Sequence, residues 1–177
     1  TEQQLAAYAP AVDSRITTTN LLARMPNQRL IHIAAHSSFR SENPMLSSFT
    51  LADGRLTLAE IVQLQLDADL VILSSCETGK GQLQGDEVMS LASGFLGAGT
   101  RSLILSLWRV EDEATAQIMS SFYSALTAGN HCAKALQTAQ LELLNRGRAT
   151  SDLDRLYRHP TFWAPFIALG NPDTQIG

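Results

Sequence analysis

Cysteine is scarce in this chain of 177 residues, in which only Cys76 and Cys132 occur. The two stand in different contexts, because Cys76 closes an apolar run whereas Cys132 lies inside a helix-like pattern. A disulfide framework is therefore not expected, and the sequence favours a reducing, intracellular setting, the cytoplasm. No spacing of cysteine and histidine resembles a zinc site, and the glycines after Cys76 lack the Lys-Ser/Thr ending of a phosphate-binding loop. No metal or other cofactor is predicted.

Basic residues are fewer than acidic ones: 13 Lys+Arg against 17 Asp+Glu give a formal net charge of −4 and a pI near 5.5. This balance removes the electrostatic reason to expect nucleic acid or an anionic membrane as the main partner, so a protein or peptide partner is favoured. The longest apolar runs, such as Leu103 to Trp108, are too short to span a bilayer, and no charged-then-apolar leader opens the chain. These absences predict a soluble protein.

Internal repeats and low-complexity stretches are missing too, and the composition is even from end to end. A chain of this length that is 45% hydrophobic fits one globular domain with a sizeable core, which we assign to residues 1–177. The chain begins at Thr1 rather than at an initiator methionine, so we expect it to be a processed or excised piece of something longer.

Apolar runs bounded by turn signals predict buried strands. These runs lie at 30–34, 70–73, 103–108 and 166–169. The runs are continuous rather than alternating, which indicates a mostly parallel sheet with both faces covered. Helical patterns occur at 16–24, 58–66, 88–96, 111–126 and 132–143. The alternation of strands and helices predicts a doubly wound α/β fold, and Asp53-Gly54 predicts a β-hairpin that flanks a site.

Polar residues follow three of the predicted strands, where an open parallel sheet binds its ligands. His36 follows the first strand, Cys76 the second, and Trp108 with Arg109 the third. If the first two strands are neighbours, His36 and Cys76 project from one edge of the sheet. A thiol with a pKa of about 8.5 is a poor nucleophile at neutral pH until an imidazole takes its proton. The pair therefore indicates acyl transfer through a cysteine nucleophile.

Each of these residues also has a simpler interpretation. A lone cysteine after an apolar run is commonly a small buried hydrophobe, and a lone histidine is commonly a core residue. Placement at strand ends, among small polar residues, is what favours a site at His36 and Cys76. The backbone N–H of Cys76 and those of the following glycine-rich loop are placed to face a developing oxyanion. Trp108 is either the wall of a substrate pocket or part of the core.

The remaining histidines and Cys132 are assigned structural roles. His32 is a core residue or a neighbour of the site residues, and His131 belongs to the start of a helix. His159 precedes Pro160 and is expected to shape a turn, while Cys132 lies on the apolar stripe of a helix. None of the four is assigned chemistry.

Several ordered motifs together resemble a known family. They are His-Ile-Ala-Ala-His at 32–36, Leu-Ser-Ser-Cys-Glu-Thr-Gly at 73–79, Gly-Asp-Glu-Val at 85–88, Ser-Leu-Trp-Arg-Val-Glu-Asp at 106–112, Phe-Tyr-Ser-Ala-Leu at 122–126 and His-Pro-Thr-Phe-Trp-Ala-Pro-Phe at 159–166. The set is similar to the CHAT domain, a caspase-like domain often attached to tetratricopeptide repeats. The resemblance covers about residues 16–171 and implies the caspase and separase type of cysteine peptidase fold, of which this chain is expected to be the C-terminal catalytic core.

The resemblance places the family's histidine on His36 and its cysteine on Cys76, and so implies a cysteine endopeptidase acting on proteins or peptides. Backbone N–H groups of Ser37 and Cys76 are then the expected oxyanion donors. Glu77 and Asp86 are expected to present negative charge to a basic substrate side chain, although a loop carboxylate and a helix cap are the simpler roles. Trp108 completes this expected pocket.

Two departures from the family leave other functions open. Family members commonly have glycine after the histidine, whereas this chain has Ser37, which favours a catalytically idle interaction or scaffold module as the alternative. The family's early strands are expected before residue 1, supplied by an upstream segment or another chain. A regulatory partner or an upstream tetratricopeptide-repeat region is expected to control activity. A small-molecule acyl hydrolase keeps the same two residues but needs a deep pocket.

Overall fold

A computed structural model describes residues 15–40, 42–74, 85–146 and 155–176. Its strands are β1 (Leu30–Ile33), β2 (Ser37–Ser38), β3 (Ser48–Thr50), β4 (Arg55–Thr57), β5 (Leu70–Leu73), β6 (Ser102–Ser106) and β7 (Phe166–Gly170). The main sheet has four strands in the order β1-β5-β6-β7, in which β1, β5 and β6 are parallel and β7 is antiparallel. The four predicted strands are confirmed, and so is the mostly parallel sheet.

The helices are α1 (Thr18–Arg24), α2 (Leu58–Ile61), α3 (Gly85–Gly97), α4 (Asp112–Thr127), α5 (Cys132–Arg146) and α6 (Pro160–Trp163). The predicted helix over 58–66 is wrong in length, because α2 ends at Ile61. Its start is fixed by a capping box, in which Thr57 and Glu60 exchange hydrogen bonds. After the helix ends, the chain runs to the carboxyl end of α3, where the Leu66 N–H donates to the carbonyl of Ala98, the residue that follows α3, over 2.6 Å.

The two faces of the main sheet bury separate hydrophobic clusters. Ile33, Leu73 and Leu105 point to the face covered by α2 and α3, with further side chains of the same strands. Ile72 and Ile104 point to the opposite face, which α4 and α5 cover. Alternate residues of a strand face opposite sides, so strands that are covered on both faces carry mostly apolar residues. The predicted doubly wound α/β architecture is confirmed.

A second, smaller sheet follows β1 directly and consists of the antiparallel strands β2, β3 and β4. The predicted hairpin is confirmed, since β3 and β4 are joined by the residues around Asp53-Gly54, where the Leu51 N–H donates to the Gly54 carbonyl over 2.8 Å. Strand β2 was not predicted, because two serines carry neither an apolar run nor an alternation. This small sheet lies at the carboxyl end of β1.

An ion cluster around the buried carboxylate of Asp69 lies at the opposite end of the main sheet. Asp69, at 0% side-chain exposure, lies 2.5 Å from the Arg29 guanidinium and 3.1 Å from that of Arg101. Among the described residues its carboxylate oxygens have no further hydrogen bond, so the two guanidinium groups are its partners. Arg29 precedes β1, Asp69 precedes β5 and Arg101 precedes β6. The cluster therefore ties the starts of three parallel strands together.

Gly99 offers a sharp test of the packing between α3 and the chain before β5. Its φ is +111°, and a Cβ there would overlap with the Leu66 carbonyl oxygen. We expect Gly99→Ala to lower the free energy of unfolding by about 2–3 kcal/mol, because the side chain adds backbone strain and a collision with backbone. Urea denaturation measures this. Gly97→Ala is the matched control, since nothing lies within 4 Å of a Cβ at Gly97; an equal loss in both variants would contradict the account.

Candidate functional site

The carboxyl ends of β1 and β5 lie side by side, as predicted from the sequence. His32 is level with Ile72 and Ile33 with Leu73 in the parallel register. The Ser74 N–H donates to the Ile33 carbonyl over 3.2 Å, which extends the pairing one residue past β5. His36 therefore follows one strand and Ser74 the other at the same edge of the sheet. Cys76 and Glu77 lie outside the described residues, as does most of the glycine-rich loop.

The backbone of His36 is held at the junction of the two sheets. Its carbonyl accepts a hydrogen bond from the Thr50 N–H over 2.7 Å, and the next residue, Ser37, is opposite Phe49. Phe49 is fully buried against Phe39 and Phe95, so the small sheet is anchored by an aromatic cluster. The His36 side chain itself is exposed. A fixed backbone with an accessible imidazole suits a group that must meet a substrate.

Ser37 occupies the position where the resemblance predicts glycine, and its backbone does not need glycine's freedom. Within the described residues no residue other than glycine has a positive φ, so Ser37 has an ordinary extended backbone. The bond from Thr50 to His36 makes Ser37 and Phe49 a non-hydrogen-bonded antiparallel pair, which turns the Ser37 N–H away from β3. The Ser37 side chain is buried at 1% exposure.

His32 lies behind this edge, in a hydrogen-bonded chain that the sequence only partly indicated. Its Nδ1 is 2.8 Å from the Tyr123 hydroxyl on α4, and its Nε2 is 2.7 Å from the Ser74 hydroxyl. Burial lowers the pKa of His32 from 6.5 to about 4 and raises that of the Tyr123 phenol well above its usual range. The expectation that His32 is a core residue or a neighbour of the site is confirmed; its partners were not foreseen.

The pKa of His32 predicts a specific loss of stability in acid. Between about pH 6.5 and pH 4 the unfolded chain protonates this histidine while the folded protein does not, so its contribution falls as the pH falls. At about 1.4 kcal/mol per pKa unit, the loss reaches at most about 3 kcal/mol by pH 4. We expect the free energy of unfolding to drop more between pH 7 and pH 4 in the wild type than in His32→Gln. His131→Gln, which removes an exposed imidazole, should keep the wild-type slope.

Trp108 and Asp86, the two described members of the predicted pocket, lie in different surroundings. The Trp108 indole N–H donates to the Thr161 carbonyl over 3.0 Å, and its ring packs against the cluster beneath α4 and α5. Trp108 is half-buried, so one part of its side chain packs on the core while another part stays accessible. Asp86 is exposed in the first turn of α3, where a negative charge favours the helix dipole. The pocket role of both stays a prediction.

The remaining predicted structural residues take structural positions. The His131 Nδ1 is 2.9 Å from the Asp173 carbonyl, and the His159 side chain accepts from the Thr161 N–H at the start of α6. Cys132 is 1% exposed, and burial raises the pKa of its thiol to about 11. In the parts of the chain that the structure covers, no three side chains of His, Cys, Asp and Glu gather into a possible metal site.

The length and apolar character of its helices decide whether a chain can cross a bilayer as helices. None of the helices within the described ranges combines the length and the apolar character that crossing a bilayer requires.

A groove of about 280 Å³ lies between α4 and α5, lined among others by Gln117, Ser121, Glu142 and Arg146. It contains none of the residues predicted for the site, so it gives no support to a deep pocket at the strand ends.

Comparison with known proteins agrees with the motifs. The family model described as the CHAT domain matches residues 2–171. Tetratricopeptide repeat protein 28 of Homo sapiens is 33% identical over 128 residues, and its counterpart in Mus musculus is 31% identical over 128 residues. Each match covers 69% of this chain and 5% of the relative, so the chain spans about 5% of the length of these curated relatives. Because the family model matches nearly the whole chain, we conclude that this chain belongs to the CHAT domain family.

Proposed function

We propose that this chain is the catalytic core of a caspase-like cysteine endopeptidase, with Cys76 as nucleophile and His36 as base. The observation that carries the proposal is the parallel pairing of β1 with β5, which ends both strands at one edge beside an exposed His36. Cys76 comes two residues after Ser74, the last described residue of the β5 segment. Ligands of open α/β sheets bind at this edge.

The proposed reaction has two stages. The Cys76 sulfur attacks the scissile carbonyl carbon and forms a C–S bond, while its proton passes to the His36 imidazole. The tetrahedral intermediate collapses when the C–N bond breaks and the imidazolium gives its proton to the leaving amine. Water then attacks the thioester, again losing a proton to His36, and the C–S bond breaks to release the carboxylic acid and restore the thiol.

Oxyanion stabilisation is assigned to the backbone N–H groups of Ser37 and Cys76. Ser37 is suited to this role because its N–H is turned away from β3, and because its backbone is fixed by the neighbouring bond from Thr50 to His36. Donors fixed before reaction need no reorganisation as charge develops. A serine can therefore serve where the family commonly has glycine.

For the substrate we propose a protein or peptide with a basic side chain beside the scissile bond. Asp86 supports this choice because its carboxylate is exposed at the start of α3, and Glu77 adds a second negative charge directly after Cys76 in the sequence. Trp108 is the proposed apolar wall. A partner, or a tetratricopeptide-repeat region elsewhere in the full protein, is proposed to control access.

A catalytically idle scaffold is the second candidate function. The observation that favours it is Ser37 at the family's glycine position, together with relatives whose printed names describe tetratricopeptide repeat proteins. Under this alternative the fold is retained for binding and Cys76 has no special reactivity.

A set of peptidyl acyloxymethyl ketones tests the proposal and its rival together. The full-length protein is treated with probes that carry arginine, aspartate or leucine next to the electrophile, and the modified residue is located by peptide mapping. We expect covalent modification of Cys76, fastest with arginine, while buried Cys132 stays unmodified. Modification of Cys76 by none of the probes would reject the peptidase, and a preference for aspartate would reject the carboxylate pocket.

A further inference from the structure

We infer that His32 is a positioning residue, which fixes the start of the Cys76 segment by clamping Ser74 between β1 and α4. The inference rests on the proposed function only in so far as Cys76 is the nucleophile. Its geometric basis is independent, since it consists of contacts among three described residues.

Ser74 is held twice by β1. Its backbone N–H donates to the Ile33 carbonyl over 3.2 Å, and its hydroxyl is 2.7 Å from Nε2 of His32. One residue with both backbone and side-chain bonds to the neighbouring strand has little freedom to rotate. Cys76 follows two residues later in the sequence, so we take Ser74 as the fixed point from which the nucleophile is positioned.

The imidazole is in turn fixed by α4. Nδ1 of His32 is 2.8 Å from the Tyr123 hydroxyl, and the two rings are tilted by 41° with their centroids 6.1 Å apart. Tyr123 also packs edge-to-face on fully buried Phe122, so the hydroxyl is carried by an ordered part of the helix. The chain of contacts thus runs from a core helix, through one imidazole, to the last described residue before Cys76.

The same geometry separates the roles of the two histidines in the motif at 32–36. Both ring nitrogens of His32 already have partners, one of them donating and the other accepting in a neutral imidazole. A half-buried ring whose two nitrogens both face hydroxyl groups is poorly placed to take a proton from a thiol, because burial disfavours the charged imidazolium. His36, whose side chain is exposed, is left as the base.

Two conservative variants test the clamp from its two ends. Ser74→Ala removes the hydroxyl at the strand, and Tyr123→Phe removes the hydroxyl at the helix while keeping the ring. We expect each to lower kcat about tenfold with little change in KM, because the nucleophile is misplaced while substrate contacts remain. The double variant should lose little more than either single variant, since both act through His32. Ser102→Ala, which deletes a buried hydroxyl at the opposite end of the sheet, is the matched control.

Amide hydrogen exchange separates failure of the clamp from failure of the proposed function. In Ser74→Ala and Tyr123→Phe, the amide of residue 74 should exchange about tenfold faster than in the wild type after correction for intrinsic rates, whereas Ser102→Ala should leave it unchanged. A wild type without peptidase activity would reject the proposed function, and the exchange result would still decide the clamp. Unchanged exchange at residue 74 in both variants would overturn the inference, as would an unchanged kcat in an active protein.

Discussion

Replacing His36 by alanine is expected to lower kcat/KM for peptide hydrolysis by about 10²–10⁴-fold, and replacing Cys76 by alanine by at least about 10⁴-fold. Without the imidazole, the thiol has no base beside it, and the leaving amine has no proton donor. Without the sulfur, no acyl-enzyme forms. These are the largest effects that the account predicts.

The double variant makes this prediction more specific. Two residues that act as one catalytic unit show non-additive losses, so the variant lacking both should be no slower than Cys76→Ala alone. His131→Ala is the matched control, because it removes an exposed histidine outside the strand-end site and should leave kcat/KM within about twofold. Losses that multiply in the double variant would show that His36 and Cys76 do not work together.

Removing both arginines around Asp69 is expected to have the largest effect on stability. The Arg29→Met, Arg101→Met variant leaves a carboxylate at 0% exposure without its two guanidinium partners. Removing the partner of a buried charge costs about 3–5 kcal/mol, because the remaining charge stays desolvated. Urea denaturation should show a loss of this size in the free energy of unfolding.

The substitutions in the ion cluster are expected to differ in their effect on stability, because Asp69 is buried whereas the two arginines are about half exposed. Arg29 and Arg101 are 48% and 55% exposed, so either can be solvated when Asp69 is absent. Asp69→Asn in the background that lacks both arginines should recover part of the stability, because it removes the buried charge that has lost its partners. Arg24→Met, at the exposed end of α1, should change stability by less than about 0.5 kcal/mol. A double-arginine variant as stable as that control would contradict the account.

The sequence predicts the strands and the neighbourhood of the site because both are encoded locally. Mostly apolar runs define the four strands of the main sheet, and a polar residue follows within two positions of the end of each run. The placement of His36 and Ser74 at one edge then follows from the parallel pairing of β1 with β5. The roles of Cys76 and Glu77 remain predictions, since both lie outside the described residues.

Contacts between distant parts of the chain were beyond the sequence argument. The bond between His32 and Tyr123 joins residues 91 positions apart, and that from Trp108 to Thr161 joins residues 53 apart. No local sequence pattern predicts either bond, because the first depends on how α4 packs on the sheet and the second on how α6 packs against the neighbouring helices. Likewise α2 ends before the last residue of its apolar pattern. The residues after Ile61 leave the helix, and the Leu66 N–H donates to the distant Ala98 carbonyl instead of to a carbonyl one helical turn earlier.

The pH dependence of Cys76 alkylation tests the central claim most directly. The rate of reaction with iodoacetamide is measured by mass spectrometry across pH 5–10 in the full-length wild type and in His36→Ala, and buried Cys132 is the thiol expected to stay unmodified. If His36 stabilises the thiolate, the wild-type profile rises well below the value of about 8.5 for an ordinary thiol, and His36→Ala returns it to that range. Identical profiles in the two proteins, both rising near the ordinary value, would contradict the Cys76 and His36 dyad.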